Sequence, residues 1–403
     1  MARVLIVTSE YKPFTSSGIH RISFFKRALE QQGHFVAVLT TNASSQGMVS
    51  DNSYDKTHNI YRAYTLSKLL RRLLSSKKLP LYPTLARAGK YDVWLPFAIR
   101  KGKELVRQLN INVVFTSFPD FSSLYAAQRI AQLTSTKLIT DFRDPPYWIY
   151  DQVTVNRKIR FCQNIVERTI KQSSQVVVCT QDSKESLSLY YDIGQNIEII
   201  ANGYDAEVIA ALPEFMPRED DYFEIVHIGS FYAEGRDIKP IVSALEKQAL
   251  NTNKKIKLRL IGDLPDNHTT AIIRDIAKSI IVSIEPPVKM HEALSIAMQA
   301  DVLLLLQGER FDRQIPTKVY EYLALNRPIW AVVGDKGETH KLLASYAANV
   351  VFSTYSKPTD ITNGASKLFD LKATSLEVIA LSRQSQANKL VTLIQKAIYK
   401  QEY

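Results

Sequence analysis

The chain predicts an α/β protein of two doubly wound domains, and three observations predict it. Short apolar runs alternate with stretches of helical period, the pattern of strands wrapped by crossover helices. The alternation occurs in two series, separated by a stretch rich in proline and acid at 206–221 (Pro213, Pro217, Glu219, Asp220, Asp221) that reads as a linker. Strand after strand ends in glycine, proline or a polar cluster, on the edge where open parallel sheets bind ligands. At 403 residues the chain can bury two sizeable cores. The expected division is 1–205, 206–375, and 376–403, the last holding a final amphipathic helix over about 376–399 that crosses back to the first domain.

In the first series, 3–8 is a buried parallel strand and 9–18 a polar loop. A helix over 19–32 stops at Gly33, and 35–39 is the next strand. Gly18 stands where strand gives way to helix, so a ligand can approach the backbone there. Residues 41–57 read as a loop. Leucines 66, 69, 70, 73 and 74 then form one helical stripe, with Lys68, Arg71 and Arg72 off it. Net charge is +11, and 60–110 holds twelve Lys/Arg against two acids, so nearly all of the excess is local. Two readings fit: docking on an anionic membrane surface through Lys68, Arg71, Arg72, Lys77 and Lys78, or leucines packed on the domain with solvated charges. Tyr82, Tyr91, Trp94 and Phe97 favour an interface; they would also stack on single-stranded nucleic acid, which is not the expected partner.

Strands follow at 113–117 and 137–140, with a helix over 122–133 between them. The second strand runs into Asp141-Phe142-Arg143-Asp144-Pro145. Asp141 or Asp144 would serve as a base or accept a substrate hydroxyl, with Arg143 as ion-pair partner; the alternative is a structural Asp–Arg pair at a strand end. Strands at 175–179 and 197–200 lead to Asn202-Gly203, a turn pair tolerant of positive φ.

In the second series, 223–228 leads into Gly229-Ser230, with Arg236 beyond. Strand 256–261 leads into Gly262-Asp263, and 280–284 into Pro286-Pro287-Val288. Strand 301–306 precedes a polar loop and the run Pro316-Thr317-Lys318 to Glu321, then Arg327-Pro328 and a strand from Ile329. Pro316 suits a first helical turn. Thr317 and Lys318 would sit at a helix N-terminus, whose open N–H groups and partial positive charge favour phosphate. Glu321, one turn on, can accept from two ribose hydroxyls. Cys162 and Cys179 are too few and too far apart for a metal or redox spacing, which suits a reducing compartment. With no signal peptide and no membrane-length apolar run, the expected location is cytoplasmic, peripheral on the membrane's inner face if the basic region docks.

These landmarks in this order resemble the GT-B glycosyltransferases, specifically retaining family 4. The resemblance covers most of the chain and is weakest over 41–110. It implies two Rossmann-like domains facing across a cleft and a nucleoside-diphosphate sugar donor. It also implies a saccharide or lipid-linked acceptor and a role in cell-surface polysaccharide or glycolipid synthesis. It implies donor contacts from Gly18, Gly229, Ser230, Arg236, Val288, Thr317, Lys318 and Glu321. Asp141, Arg143 and Asp144 would lie on the acceptor side, with Asp141, Arg236 and Lys318 the catalytic set. No metal or other cofactor is expected. Two departures stand out. Eight positions before Glu321, where the family often has a second glutamate, is Arg313, leaving Asp312 or Glu309 as stand-ins. The lysine that many relatives carry a turn after the Gly-Arg arginine has only Lys239 as a candidate. Other classes remain open: a sugar-nucleotide 2-epimerase, or a non-catalytic subunit binding membrane or nucleic acid.

Overall fold

The computed structural model describes residues 1–14, 17–42, 52–65, 92–149, 154–194, 196–216, 220–231, 236–263 and 267–399. Lys68, Arg71, Arg72, Lys77 and Lys78 lie outside them. The chain divides into two compact units, Met1–Ala201 with Gln384–Tyr403, and Asn202–Arg383.

The first unit alternates β1 (Arg3–Val7), α1 (Ser17–Gln31), β2 (Phe35–Thr41), α2 (Asn52–Thr57), β3 (Ile60–Ala63), α3 (Leu95–Gln108), β4 (Val113–Phe118), α4 (Phe121–Thr134), β5 (Lys137–Phe142), α5 (Arg157–Gln172), β6 (Ser173–Val178), α6 (Gln181–Tyr191) and β7 (Ile197–Ile199). The sheet order is β3-β2-β1-β4-β5-β6-β7, and every pairing is parallel. Successive residues of β1 feed opposite faces, as the two-residue period of a strand requires. Val4 and Ile6 pack with α1 and with Leu390 and Ile394 of the C-terminal helix, while Leu5 and Val7 pack with α3 and α4. Parallel strands buried on both faces need this continuous apolar character. The edge strand β3 falls just after the stretch expected to be a loop. Arg62 of β3 is paired through Nη2 at 2.8 Å with Asp55, which fastens that edge.

The second unit holds α7 (Ala206–Ala210), β8 (Tyr222–Ile228), α8 (Lys239–Thr252), β9 (Lys255–Ile261), α9 (Asn267–Ile276), β10 (Ile281–Glu285), α10 (Met290–Met298), β11 (Val302–Leu306), α11 (Thr317–Ala324), β12 (Ile329–Val332), α12 (Glu338–Ala344), β13 (Val350–Ser353) and α13 (Pro358–Lys367). Its sheet is parallel in the order β10-β9-β8-β11-β12-β13. Strand order reverses beside β1 in one sheet and beside β8 in the other, and such switch points open crevices at the carboxyl ends of the strands.

The stretch expected as a bare linker starts with structure. Asp205 caps α7, accepting from the N–H groups of Glu207 and Val208, and Leu212 beyond the helix is buried. The final helix begins at Arg383, not near 376. Ser382 is extended (ψ 147) and buried, and it bridges to Tyr204, so helical geometry can start only after it. Among the described residues no helix is long and apolar enough to cross a membrane.

Candidate functional sites

In the second unit the β8 end is built around Ile228 and Gly229. β11 pairs with β8 only at Ile225 and Val226, so the backbone beyond is left to other partners. Two side chains of α11 take it. Lys318 Nζ donates to the Ile228 carbonyl at 3.0 Å, and the Ile228 N–H donates to the Tyr322 hydroxyl at 3.2 Å. Gly229 then adopts φ +141, and a Cβ there would lie 2.6 Å from Lys318 Nζ. Gly262, at φ +151, abuts the Gly229 carbonyl so closely that a Cβ would lie 2.1 Å from its oxygen. Only glycine meets both demands without strain. Gly262→Ala is therefore expected to cost at least the ~1–3 kcal/mol typical of a disfavoured backbone conformation. A urea unfolding curve that does not move would contradict it.

The polar groups of this turn are laced together. Ser230 Oγ donates to Asp263 at 2.7 Å, and Arg236 Nη1 donates to the Ser230 carbonyl at 2.8 Å. α11 opens at Thr317 with Pro316 as its N-cap (ψ 144), one place earlier than a first-turn proline. Two cations and a helix N-terminus thus meet at a glycine strand end, a chemistry suited to phosphate. Burial, then repulsion from Arg236, pushes the Lys318 ammonium down to about 7. Glu321, one turn along α11, lies 3.7 Å from Arg383 Nη2, and burial raises its carboxyl above the usual range. Arg383 also donates through Nε to the Gly203 carbonyl at 3.2 Å. Val288 is partly exposed in the loop after β10, on the same edge of the sheet.

Sequence reading missed His227. It is wholly buried on β8, and its Nδ1 lies 2.9 Å from the Leu304 carbonyl. A carbonyl only accepts, so the ring proton sits on Nδ1 and Nε2 carries a lone pair. Nε2 is buried without a hydrogen-bond partner among the described residues. Burial, with Lys318 and Arg236 near, keeps this ring neutral, its pKa far below the ordinary value. Its only sequence signal was a lone His in an apolar strand.

Asp312, one of the two offered stand-ins for the second glutamate, faces the turn between β12 and α12. Its carboxylate lies against Gly334 and Gly337, where Cβ atoms would overlap it, and its carbonyl accepts from the Glu338 N–H at 2.6 Å. Gln307 holds the same loop, donating to the carbonyls of Phe311 and Gln314 and accepting from Thr339 at 2.7 Å. Glu309 is exposed. Lys239 pairs with Asp237 at 3.7 Å, a surface contact.

In the first unit Asp141 is a wholly buried carboxylate bonded within the protein. It is 0% exposed and accepts from Arg21 Nε and Nη2, each at 2.9 Å, and from Ser117 Oγ at 2.8 Å. Arg21 also donates to the carbonyls of Ile200 and Ala201 at 2.8 and 3.0 Å. Arg143, expected as the ion-pair partner of Asp141 or Asp144, lies 3.6 Å from Asp144. Arg143 lines a cavity of about 280 Å³ with Thr8, Ser9, Glu10, Gly18 and Asp120, among others, where β1 and β4 diverge. A Cβ on Gly18 would lie 2.0 Å from Arg143 Nη1. The close approach that Gly18 permits here is that of this guanidinium. Among the described residues no group of three or more His, Cys, Asp or Glu side chains is placed to hold a metal ion.

Residues 22–208 match the model of Glycosyltransferase Family 4, a little under half of the chain. Solved structures match over nearly all of it. HepE from Anabaena in complex with UDP is 13% identical, with 99% of this chain and 98% of that chain covered and a TM-score of 0.58. Sucrose-phosphate synthase from Thermosynechococcus elongatus is 12% identical, with 99% of each chain covered and a TM-score of 0.57. The fold is GT-B. A Listeria monocytogenes protein described as a UDP-N-acetylglucosamine 2-epimerase shares it, at 11% identity, 99% and 97% coverage and a TM-score of 0.58. No curated protein matches the chain by sequence. At such identities the likeness carries the fold and not the chemistry.

Proposed function

We propose that the protein is a glycosyltransferase that moves a sugar from a nucleoside-diphosphate donor to a saccharide or lipid-linked acceptor, with retention of configuration. The observation that carries this reading is the Gly229–Lys318–Arg236 cluster at the second switch point. The family match over the first unit supports it. In this reading Lys318, Arg236, the Gly229-Ser230 backbone and the α11 N-terminus at Thr317 hold the diphosphate. Positive charge held in place there stabilises the leaving group as the glycosidic bond to it breaks, a large electrostatic contribution in such chemistry. Glu321 accepts from the ribose hydroxyls and so must turn from Arg383. Val288 offers backbone to the base. Arg143 and Asp144 serve the acceptor. The donor is a substrate, and no cofactor enters. The protein would act in the cytoplasm or on the inner face of a membrane, in surface polysaccharide or glycolipid synthesis.

A thermal-shift panel of UDP, GDP, ADP, TDP and CDP, with and without magnesium, tests the reading. One diphosphate at about a hundred times its dissociation constant should stabilise by about 2.7 kcal/mol, with or without the metal. A flat panel would refute it. NMR of the anomeric proton in the product then decides retention. Arg236→Met with Lys318→Met should abolish the shift.

A 2-epimerase is the second reading, favoured by the Listeria protein with the same fold. It predicts a changed sugar without any acceptor present. The transferase predicts an unchanged sugar until acceptor is added.

A further inference from the structure

The cavity between the β1 and β4 ends carries an unusual group. Arg143 is only 21% exposed, yet it makes no hydrogen bond among the described residues. The carboxylate paired with it, Asp144 at 3.6 Å, is itself 46% exposed and beyond hydrogen-bond reach, and Glu10 and Asp120 line the same cavity. The Nε–H is buried with no partner. A guanidinium has five donors in a fixed fork, and leaving them unmade in a partly desolvated place is costly unless a ligand completes them. In this rotamer the guanidinium fills the space that a Cβ at position 18 would take.

The other polar groups of the cavity are largely engaged within the protein. Asp120 caps α4, accepting from the N–H groups of Ser122 and Ser123 at 3.3 and 2.8 Å. Ser117 Oγ is committed to Asp141, and Thr8 Oγ1 donates to the Glu10 carbonyl at 2.9 Å. Glu10 lines the same cavity, and a carboxylate already partnered within the protein keeps further lone pairs for hydroxyls. A fork of donors beside a carboxylate suits a ligand that is both anionic and hydroxylated.

We propose that this cavity binds an acidic acceptor, a sugar acid or sugar phosphate, whose oxyanion is taken bidentately by Arg143. The inference rests on the transferase reading for the word acceptor, but the anion site itself does not.

The test uses the full chain carrying Lys318→Met and Arg236→Met, which removes the second unit's phosphate-binding cations. Isothermal titration with D-glucuronate and with glucose 1-phosphate measures each anion source separately. At least one should bind, and Arg143→Met added to that background should weaken it tenfold or more, about 1.4 kcal/mol. Arg143→Lys should recover only part, since an ammonium cannot make the bidentate contact. Gly18→Ala keeps the arginine but fills its seat, and should weaken binding similarly. Circular dichroism establishes that each variant is folded. Binding of neither probe, or equal binding with and without Arg143, overturns the proposal. The two readings fail separately. A wild-type chain that ignores every nucleoside diphosphate but binds an acid through Arg143 removes the transferase and keeps the site. A UDP shift with binding indifferent to Arg143 does the reverse.

Discussion

Asp141→Ala is expected to cost the first unit about 3–5 kcal/mol, the usual penalty for breaking a buried ion pair from one side. The carboxylate is 0% exposed and Arg21 is 7% exposed, so water cannot replace the missing partner. Arg21 would keep its bonds to the Ile200 and Ala201 carbonyls but hold an uncompensated charge among β4, β5 and α1. The pair joins α1 to the ends of β4 and β5, so its loss loosens the middle of the sheet. Arg21→Met with Asp141→Leu should recover much of the loss, because an apolar pair of similar volume avoids burying either charge. Urea unfolding of the single and double variants measures both. A single variant within 1 kcal/mol of wild type would show that the pair is not the clasp its geometry indicates.

That pair also shows where sequence reasoning stops. Two parallel sheets were legible because strands buried on both faces must be continuously apolar, and each such run ended in a turn signal. The start of α11 was legible for a similar reason, since Pro316, Thr317, Lys318 and Glu321 are local to one short segment. The pairing of Asp141 with Arg21 was not legible because the two are 120 positions apart, and Arg21 reads as an ordinary polar residue on an amphipathic helix. Asp312 was offered as a substitute glutamate on spacing alone, and its contacts with Gly334 and Gly337 come only through the fold. Strand β3 was missed because four residues, two of them partly exposed, carry too little periodicity to register. His227 is the same lesson inverted, since a lone histidine gains meaning only from the orphaned nitrogen that burial leaves it.

Nucleotide affinity is expected to fall as pH rises above about 7, and Lys318 is the reason. Its ammonium is pushed down to about 7 by burial and then by Arg236, with only Glu321 opposing. A diphosphate favours the charged form, so binding above pH 7 must take up a proton. The dissociation constant should then rise by up to tenfold per pH unit between 7 and 9. The terminal phosphate of a nucleoside diphosphate titrates near pH 6, below this window. The unliganded protein should behave oppositely. The unfolded chain holds this proton up to about 10.4 while the folded chain releases it near 7. The unfolded state therefore binds more protons across that interval, and this group's contribution makes the second unit more stable as pH rises through it. Lys318→Met should flatten both trends while weakening nucleotide binding at pH 7. Titrations of the best diphosphate at pH 7, 8 and 9, on wild type and variant, measure the first; urea curves at the same pH values measure the second. Affinity independent of pH in the wild type would mean that Lys318 is not the group that meets the phosphate. A slope that survives in Lys318→Met would assign it to Arg236's surroundings instead.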